Sequence, residues 1–149
     1  MTDMQAAIGN SQLDKVDGFI ERRRHNHDYL MAAFKTEGLD EFFHLPEATP
    51  NSNPSWFGFA LNLREDAPWD RNHVTQFLEE RRVGTRLMFG GNLTRQPAFR
   101  EVKFRTVGAL PRTDDVMNRS FWIGVWPGLD DARLDYVVSV FRQLAGRSR

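Results

Sequence analysis

Cysteine is absent from the 149 residues. Disulfides, a thiolate nucleophile and any thiolate-ligated zinc or iron–sulfur centre supplied by this chain are therefore excluded. Long apolar runs are absent too: none approaches the roughly 20 residues that span a bilayer. The opening MTDMQAAIGNSQ lacks the basic and apolar zones of a signal peptide, so the expected location is the cytoplasm, with no membrane partner. Charge of one sign does not dominate. Twenty Lys+Arg oppose twenty Asp+Glu, so no whole-molecule field draws the chain to nucleic acid, and any anion binding must be local. Neither a G-x-G-x-x-G motif nor a P-loop occurs. His25, His27, His44 and His73 make no metal-ligand spacing with nearby carboxylates, and no Ser, His and Asp set stands out, so neither a metal nor a nucleophile is expected.

What is present is the make-up of a single globular domain over residues 1–149, with 40% hydrophobic and 27% charged residues. A chain of this size buries roughly two thirds of the surface its unfolded form exposes. There is no repeat and no low-complexity segment. The linker-like stretch LPEATPNSNPS, residues 45–55, carries three of the seven prolines and reads as an ordered loop.

Thr2 followed three residues later by Gln5 has capping-box spacing and predicts a helix from the start of the chain. That helix is expected to break near Asp17-Gly18 and restart with Asp17 as cap, placing Ile20, His27, Met31 and Phe34 on one face. ERRR at 21–24 reads as a solvated helix face. SWFGFALNL, residues 55–63, alternates Phe57, Phe59, Leu61 and Leu63 against Trp56, Gly58, Ala60 and Asn62, the period of a half-buried strand. Asp70 caps a predicted helix with Val74, Phe77 and Leu78 on one face, and Gly84 ends it. TRLMF is a short strand, FRTVGAL is extended, and Thr113 or Asp114 caps a short helix before a strong strand at FWIGV. The pairs Asp114-Asp115 and Asp130-Asp131 are placed like helix caps. DDARLDYVVSVFRQLAG closes the chain as a helix with Leu134, Val137, Val138, Phe141 and Leu144 inward.

This order predicts an α+β fold, a small and mainly antiparallel sheet covered on one face by helices. Trp56, Trp122 and Trp126 fall on the side of Gly58, Ala60 and Gly124, where they form a docking face for a partner or fill the core.

The segment with most chemistry is GTRLMFGGNLTRQPAF, residues 84–99. Its glycine pair brings backbone N–H groups close to a ligand. Arg86 and Arg95 offer forks matched to phosphate oxygens, while Asn92, Thr94 and Gln96 supply groups for sugar hydroxyls or a base edge, so the set fits a nucleotide sugar. The competing reading is an ordinary Gly-Gly turn with solvated arginines.

TDMQAAIG, SQLDK and FIERRR together resemble the segment leading from the large to the small domain in the DegT-type sugar aminotransferase family. GTRLMFGGNLTRQPAF and TDDVMNRSFWIGVWPGL are similar to one branch of it, the CDP-4-keto-6-deoxyglucose 3-dehydratases or RfbH-like lipopolysaccharide biosynthesis proteins. Ordinary aminotransferases of the family carry a histidine where this loop has Asn92. The resemblance implies that residues 1–149 are the C-terminal small domain of the aspartate aminotransferase (type I PLP) fold, including an inter-domain helix over residues 2–35, without the cofactor-binding large domain. It implies a parent that uses pyridoxamine or pyridoxal 5′-phosphate to dehydrate C3 of a nucleotide-linked 4-keto-6-deoxy sugar on the route to the 3,6-dideoxyhexoses of O-antigen. A histidine in place of the family's usual lysine would remove the proton as the C3 hydroxyl leaves. Those groups, and the cysteines of an iron–sulfur cluster found in one sub-branch, belong to the large domain, so this stretch is expected to hold no catalytic residue and no cofactor, and to be inactive by itself. Substrate contact is implied for Arg86, Asn92, Thr94, Arg95 and Gln96, with the arginines on the diphosphate and Asn92 on a sugar hydroxyl. The implied partners are a nucleotide-diphosphate sugar, the large domain, a second subunit of a homodimer and a reductase. Two other readings stand beside this one: the small domain of a lysine-dependent nucleotide-sugar aminotransferase, and a stand-alone non-catalytic interaction module of the same fold.

Overall fold

The computed structural model describes residues 2–147. Helix α1 (Asp3–Leu13) begins as its opening residues dictate: the Thr2 hydroxyl accepts from the Gln5 amide, and the Gln5 side chain accepts from the Thr2 amide. It buries no residue. The chain turns at Asp14 and Lys15 and continues as α2 (Val16–Thr36), so the break falls earlier than the glycine suggested. Asp17 lies in the first turn of α2, where a carboxylate favours the positive helix end, and Gly18 is helical. Asn26, His27, Leu30 and Phe34 are the buried side of α2, with Ile20 and Met31 only half-buried.

Four strands follow: β1 (Phe43–His44), β2 (Gly58–Leu63), β3 (Thr85–Leu87) and β4 (Ser120–Gly124). They form one sheet in the order β1-β2-β4-β3, every neighbour antiparallel. Helices α3 (Arg71–Glu80) and α5 (Asp131–Leu144) join α2 over one face. Phe34 on α2 meets Phe141 on α5 at 4.8 Å and Phe59 on β2 at 5.2 Å, both edge-on, and Phe43, Leu61, Phe121, Ile123, Leu134 and Leu78 complete the core. This is the α+β architecture expected. Among the described residues no helix is long and apolar enough to cross a membrane.

The departures have local causes. Helix α3 starts under the Asp70 cap, but it ends on Arg82, whose φ of 59° is left-handed. The Arg82 amide reaches Glu79 O and the Val83 amide reaches Leu78 O, closing the helix before Gly84. Residues 104–110 join no strand. Helix α4 (Pro111–Arg119) begins at a proline in the first position after Leu110, so neither Thr113 nor Asp114 caps it. It lies across the other face of the sheet at one end, where Asn62 Nδ2 donates to Asp115 and to the Ser120 hydroxyl. Asp130 does cap α5, accepting from the Arg133 amide at 2.9 Å.

Alternation along β2 holds from Phe59 to Leu63 and stops before Gly58. Phe57 is 66% exposed and rests on Trp122, 4.8 Å between rings, while Trp56 crosses to the helix side and stacks on His27 at 4.1 Å. Only a residue without Cβ fits at Gly58, since one there would lie 2.5 Å from the Trp122 ring. Of the three tryptophans, Trp122 lies on the open sheet face and Trp126 is exposed just beyond β4.

The arginine run on α2 is not a solvated face. Arg22 donates twice to Leu129 O and once to Asp131. Arg23 reaches the carbonyls of Trp56 and Phe57 at 3.1 and 3.2 Å, and Arg24 those of Asn53 and Pro54 at 2.6 and 3.3 Å. Planar forks with several donors pin a segment that has no regular structure of its own.

Candidate functional site

Strand β3 delivers a compact loop, residues 88–96, at the sheet edge. Phe89 and Gly91 both take left-handed backbone, at φ 48° and 56°, and the Gly91 amide closes on Met88 O. A Cβ at Gly91 would lie 2.6 Å from the Met117 side chain, so α4 packs directly on bare backbone there.

The polar residues beyond the turn are knitted together. Asn92 Oδ1 accepts from the Thr94 amide at 3.1 Å and from its hydroxyl at 2.7 Å, starting a short 3-10 turn over Leu93–Arg95. Asn92 Nδ2 donates to Asp114 Oδ1 at 2.6 Å. The same carboxylate takes the Arg95 fork, Nε at 3.2 Å and Nη2 at 2.9 Å. Gln96 Nε2 donates back to Gly90 O at 2.7 Å. Four of the five expected residues therefore meet in one loop. Asn92 is 2% exposed, its amide engaged with Asp114 and Thr94, whereas Arg95 keeps a largely exposed side chain. Arg86 stands apart on the open sheet face, across from Trp122, donating only to the neighbouring Thr85 carbonyl.

Asp114 is the hub that sequence reasoning missed. Its carboxyl is held below the ordinary range by the Arg95 guanidinium first and the Asn92 amide second. The available signal was that a forked arginine needs a carboxylate, and Asp114 and Asp115 are the first acids after Glu101. Glu79 braces the start of β3: the Thr85 amide and hydroxyl, which donate to it at 2.6 and 2.9 Å, hold its carboxyl low, with the Arg86 charge a smaller contribution.

Beside the turn lies a cavity of about 110 Å³, with Arg71, Phe89, Gly90, Gly91, Gln96 and Met117 among its walls. Further along, Phe99, Val102, Phe104 and Val107 expose apolar surface around a groove. No group of three or more His, Asp or Glu able to hold a metal occurs among the described residues. Lys15, Lys35 and Lys103, the three lysines, lie at the α1–α2 junction, the end of α2 and the 99–107 segment, and none lines the cavity beside the loop.

A small antiparallel sheet backed by helices on one face, with a polar glycine loop at its edge, defines a compact α+β domain. Residues 1–142 match the DegT/DnrJ/EryC1/StrS aminotransferase family, and the chain belongs to it. It is 50% identical over 146 residues to lipopolysaccharide biosynthesis protein RfbH of Salmonella typhimurium, covering 98% of this chain and 33% of that protein. It is 46% identical over 147 residues to dTDP-4-dehydro-2,6-dideoxy-D-glucose 3-dehydratase of Saccharopolyspora spinosa, covering 99% of this chain and 31% of that protein. The solved structure of E. coli GDP-4-keto-6-deoxy-D-mannose-3-dehydratase with bound hydrated PLP shares the fold, with a TM-score of 0.80 at 23% identity over 93% of this chain and 34% of that one. The chain thus spans about a third of the length of the curated relatives it matches.

Proposed function

We propose that these residues form the substrate-binding small domain of a pyridoxamine phosphate-dependent nucleotide-sugar 3-dehydratase that serves 3,6-dideoxyhexose and hence O-antigen biosynthesis. The observation that carries this reading is identity at the 50% and 46% level along nearly the whole chain to proteins named for lipopolysaccharide biosynthesis and for sugar 3-dehydration. In that parent the cofactor supplies the electron sink for loss of the C3 hydroxyl. The residues of this chain bind and orient. Arg86 and the exposed edge of Arg95 meet the diphosphate, Thr94 and Gln96 border the sugar, and Asn92 holds the loop in shape through Asp114.

In the same proposal α1 and α2 form the link to a cofactor-bearing large domain, and the exposed Met4, Ile8, Leu13, Phe19 and Trp126 are surface for that domain and a second subunit to cover. A reductase acts on the released product. By itself the domain has no dehydratase activity.

In a full-length parent, Arg95→Ala is expected to raise the KM for the nucleotide sugar about tenfold, the loss of one charged hydrogen-bonding fork, with the cofactor absorption band unchanged. An unaltered KM returns Arg95 to the surface. A histidine at the parent's Schiff-base position supports the dehydratase reading, and a lysine there overturns it in favour of an aminotransferase.

A further inference from the structure

Arg71 enters the cavity beside Gly90–Gly91 from the first turn of α3. Its Nη1 donates to Met117 O and its Nη2 to Asn72 Oδ1 at 3.0 Å, both neutral acceptors, and its Nε is closed to solvent without a partner. It forms no ion pair with a described residue. Its neighbours behave otherwise: Arg95 ends on Asp114 and Arg119 on Asp115. No acidic side chain lines the cavity, whose other polar walls are the Gln96 and Asn118 amides and the backbone of the glycine pair. On its far side Arg71 borders a cleft with Glu65 and Asp70, neither of which pairs with it.

A sheltered cation is costly unless an anion answers it. The space of about 110 Å³ is open to solvent and admits a tetrahedral oxyanion.

We propose that this cavity is a phosphoryl-binding subsite, in which Arg71 makes the charged contact and the Gln96 side-chain amide with the Gly90 N–H makes the neutral ones. It rests on the functional reading above only for the source of the phosphoryl group, a nucleoside diphosphate. The cavity chemistry stands without that reading.

The test is a titration of the 15N-labelled chain with inorganic phosphate, and separately with a nucleoside diphosphate, at constant ionic strength. Saturable shifts are expected at the Arg71 guanidinium, the Gly90 amide and the Gln96 side chain. Arg71→Gln is expected to weaken them about tenfold, Arg71→Lys to weaken them less, and Arg105→Gln to leave them unchanged. Gln96→Ala leaves the Arg71 contacts intact and is expected to weaken them about threefold, a smaller loss suited to a neutral hydrogen bond; it decides the matter if Arg71→Gln fails to fold. Shifts that do not saturate, or that persist at full strength in the folded variants, overturn the subsite. Saturation by both ligands supports the diphosphate as source, and saturation by phosphate without the nucleotide supports a free phosphate ion. If phosphate binds through Arg71 while a full-length parent ignores nucleotide sugars, the functional reading fails and the subsite stands.

Discussion

The arginines of α2 and those around the glycine turn are the same residue put to opposite uses. Arg23 and Arg24 end on backbone carbonyls of the 53–57 segment, neutral acceptors that are present at any pH. Arg95 ends on a titratable carboxylate, Arg86 has only the carbonyl beside it, and Arg71 faces a cavity. The first set ties the fold together, whereas of the second only Arg71 borders the cavity. What decides an arginine's role is the acceptor that the fold brings to it, not its own position in a basic run.

The largest effect that can break this contrast is expected from the first set. Replacing both Arg23 and Arg24 by alanine removes four charge-assisted hydrogen bonds at half-buried sites and should cost about 3 kcal/mol. For a chain of this size that lowers the melting temperature by roughly 6 to 12 °C. A calorimetric shift under about 2 °C would make these contacts decorative.

Acid sharpens the contrast, since the two regions respond in separate windows. Burial against Trp56 and Phe59 lowers the His27 pKa below its usual 6.5, with Asp28 opposing the shift only in part. The native state then refuses a proton that the unfolded chain accepts, so stability on the α2 side falls as pH drops below about 6.5. His27→Phe should flatten that dependence in urea melts. Asp114 runs the other way: its depressed carboxyl contributes fully above its ordinary value of 3.8 and is lost only as pH falls below that. The protection of the Thr94 amide from hydrogen exchange, corrected for the intrinsic rate, should therefore hold at pH 5 and fall only below pH 3.8. One shared transition for both regions would refute the separation.

The smallest effect is expected at Arg86. Arg86→Gln should leave stability within about 0.5 kcal/mol of the parent chain, as exposed substitutions without partners do. A larger loss in chemical denaturation would move Arg86 into the structural set.

Much of the fold was legible because periodicity and caps are local. The alternation of Phe59, Leu61 and Leu63 located β2, and Asp70 and Asp130 located the starts of α3 and α5. What was not legible lies in contacts between distant residues or in backbone that the usual residues do not mark. Strand β1 has only two residues, too few to show a period, and exists because β2 pairs with it. Arg82 takes the left-handed turn where glycine is commoner, and Leu110 does the same before Pro111. ERRR looked like a solvated face because its carbonyl partners lie about 30 residues away for Arg23 and Arg24 and over 100 away for Arg22. For the site, the loop residues could be picked out by chemistry, yet neither Asp114, 22 residues from Asn92, nor Arg71 carried any local mark of belonging with them.

The grip of Arg23 and Arg24 on main-chain oxygens has a bearing on how this surface can diverge. Every amino acid brings the same carbonyl, so the exposed side chains at positions 53 and 55 are free to drift among relatives, provided the path of the chain is kept. Arg24 is not so free, because an ammonium in its place lacks the flat fork whose Nε and Nη2 reach two oxygens at once.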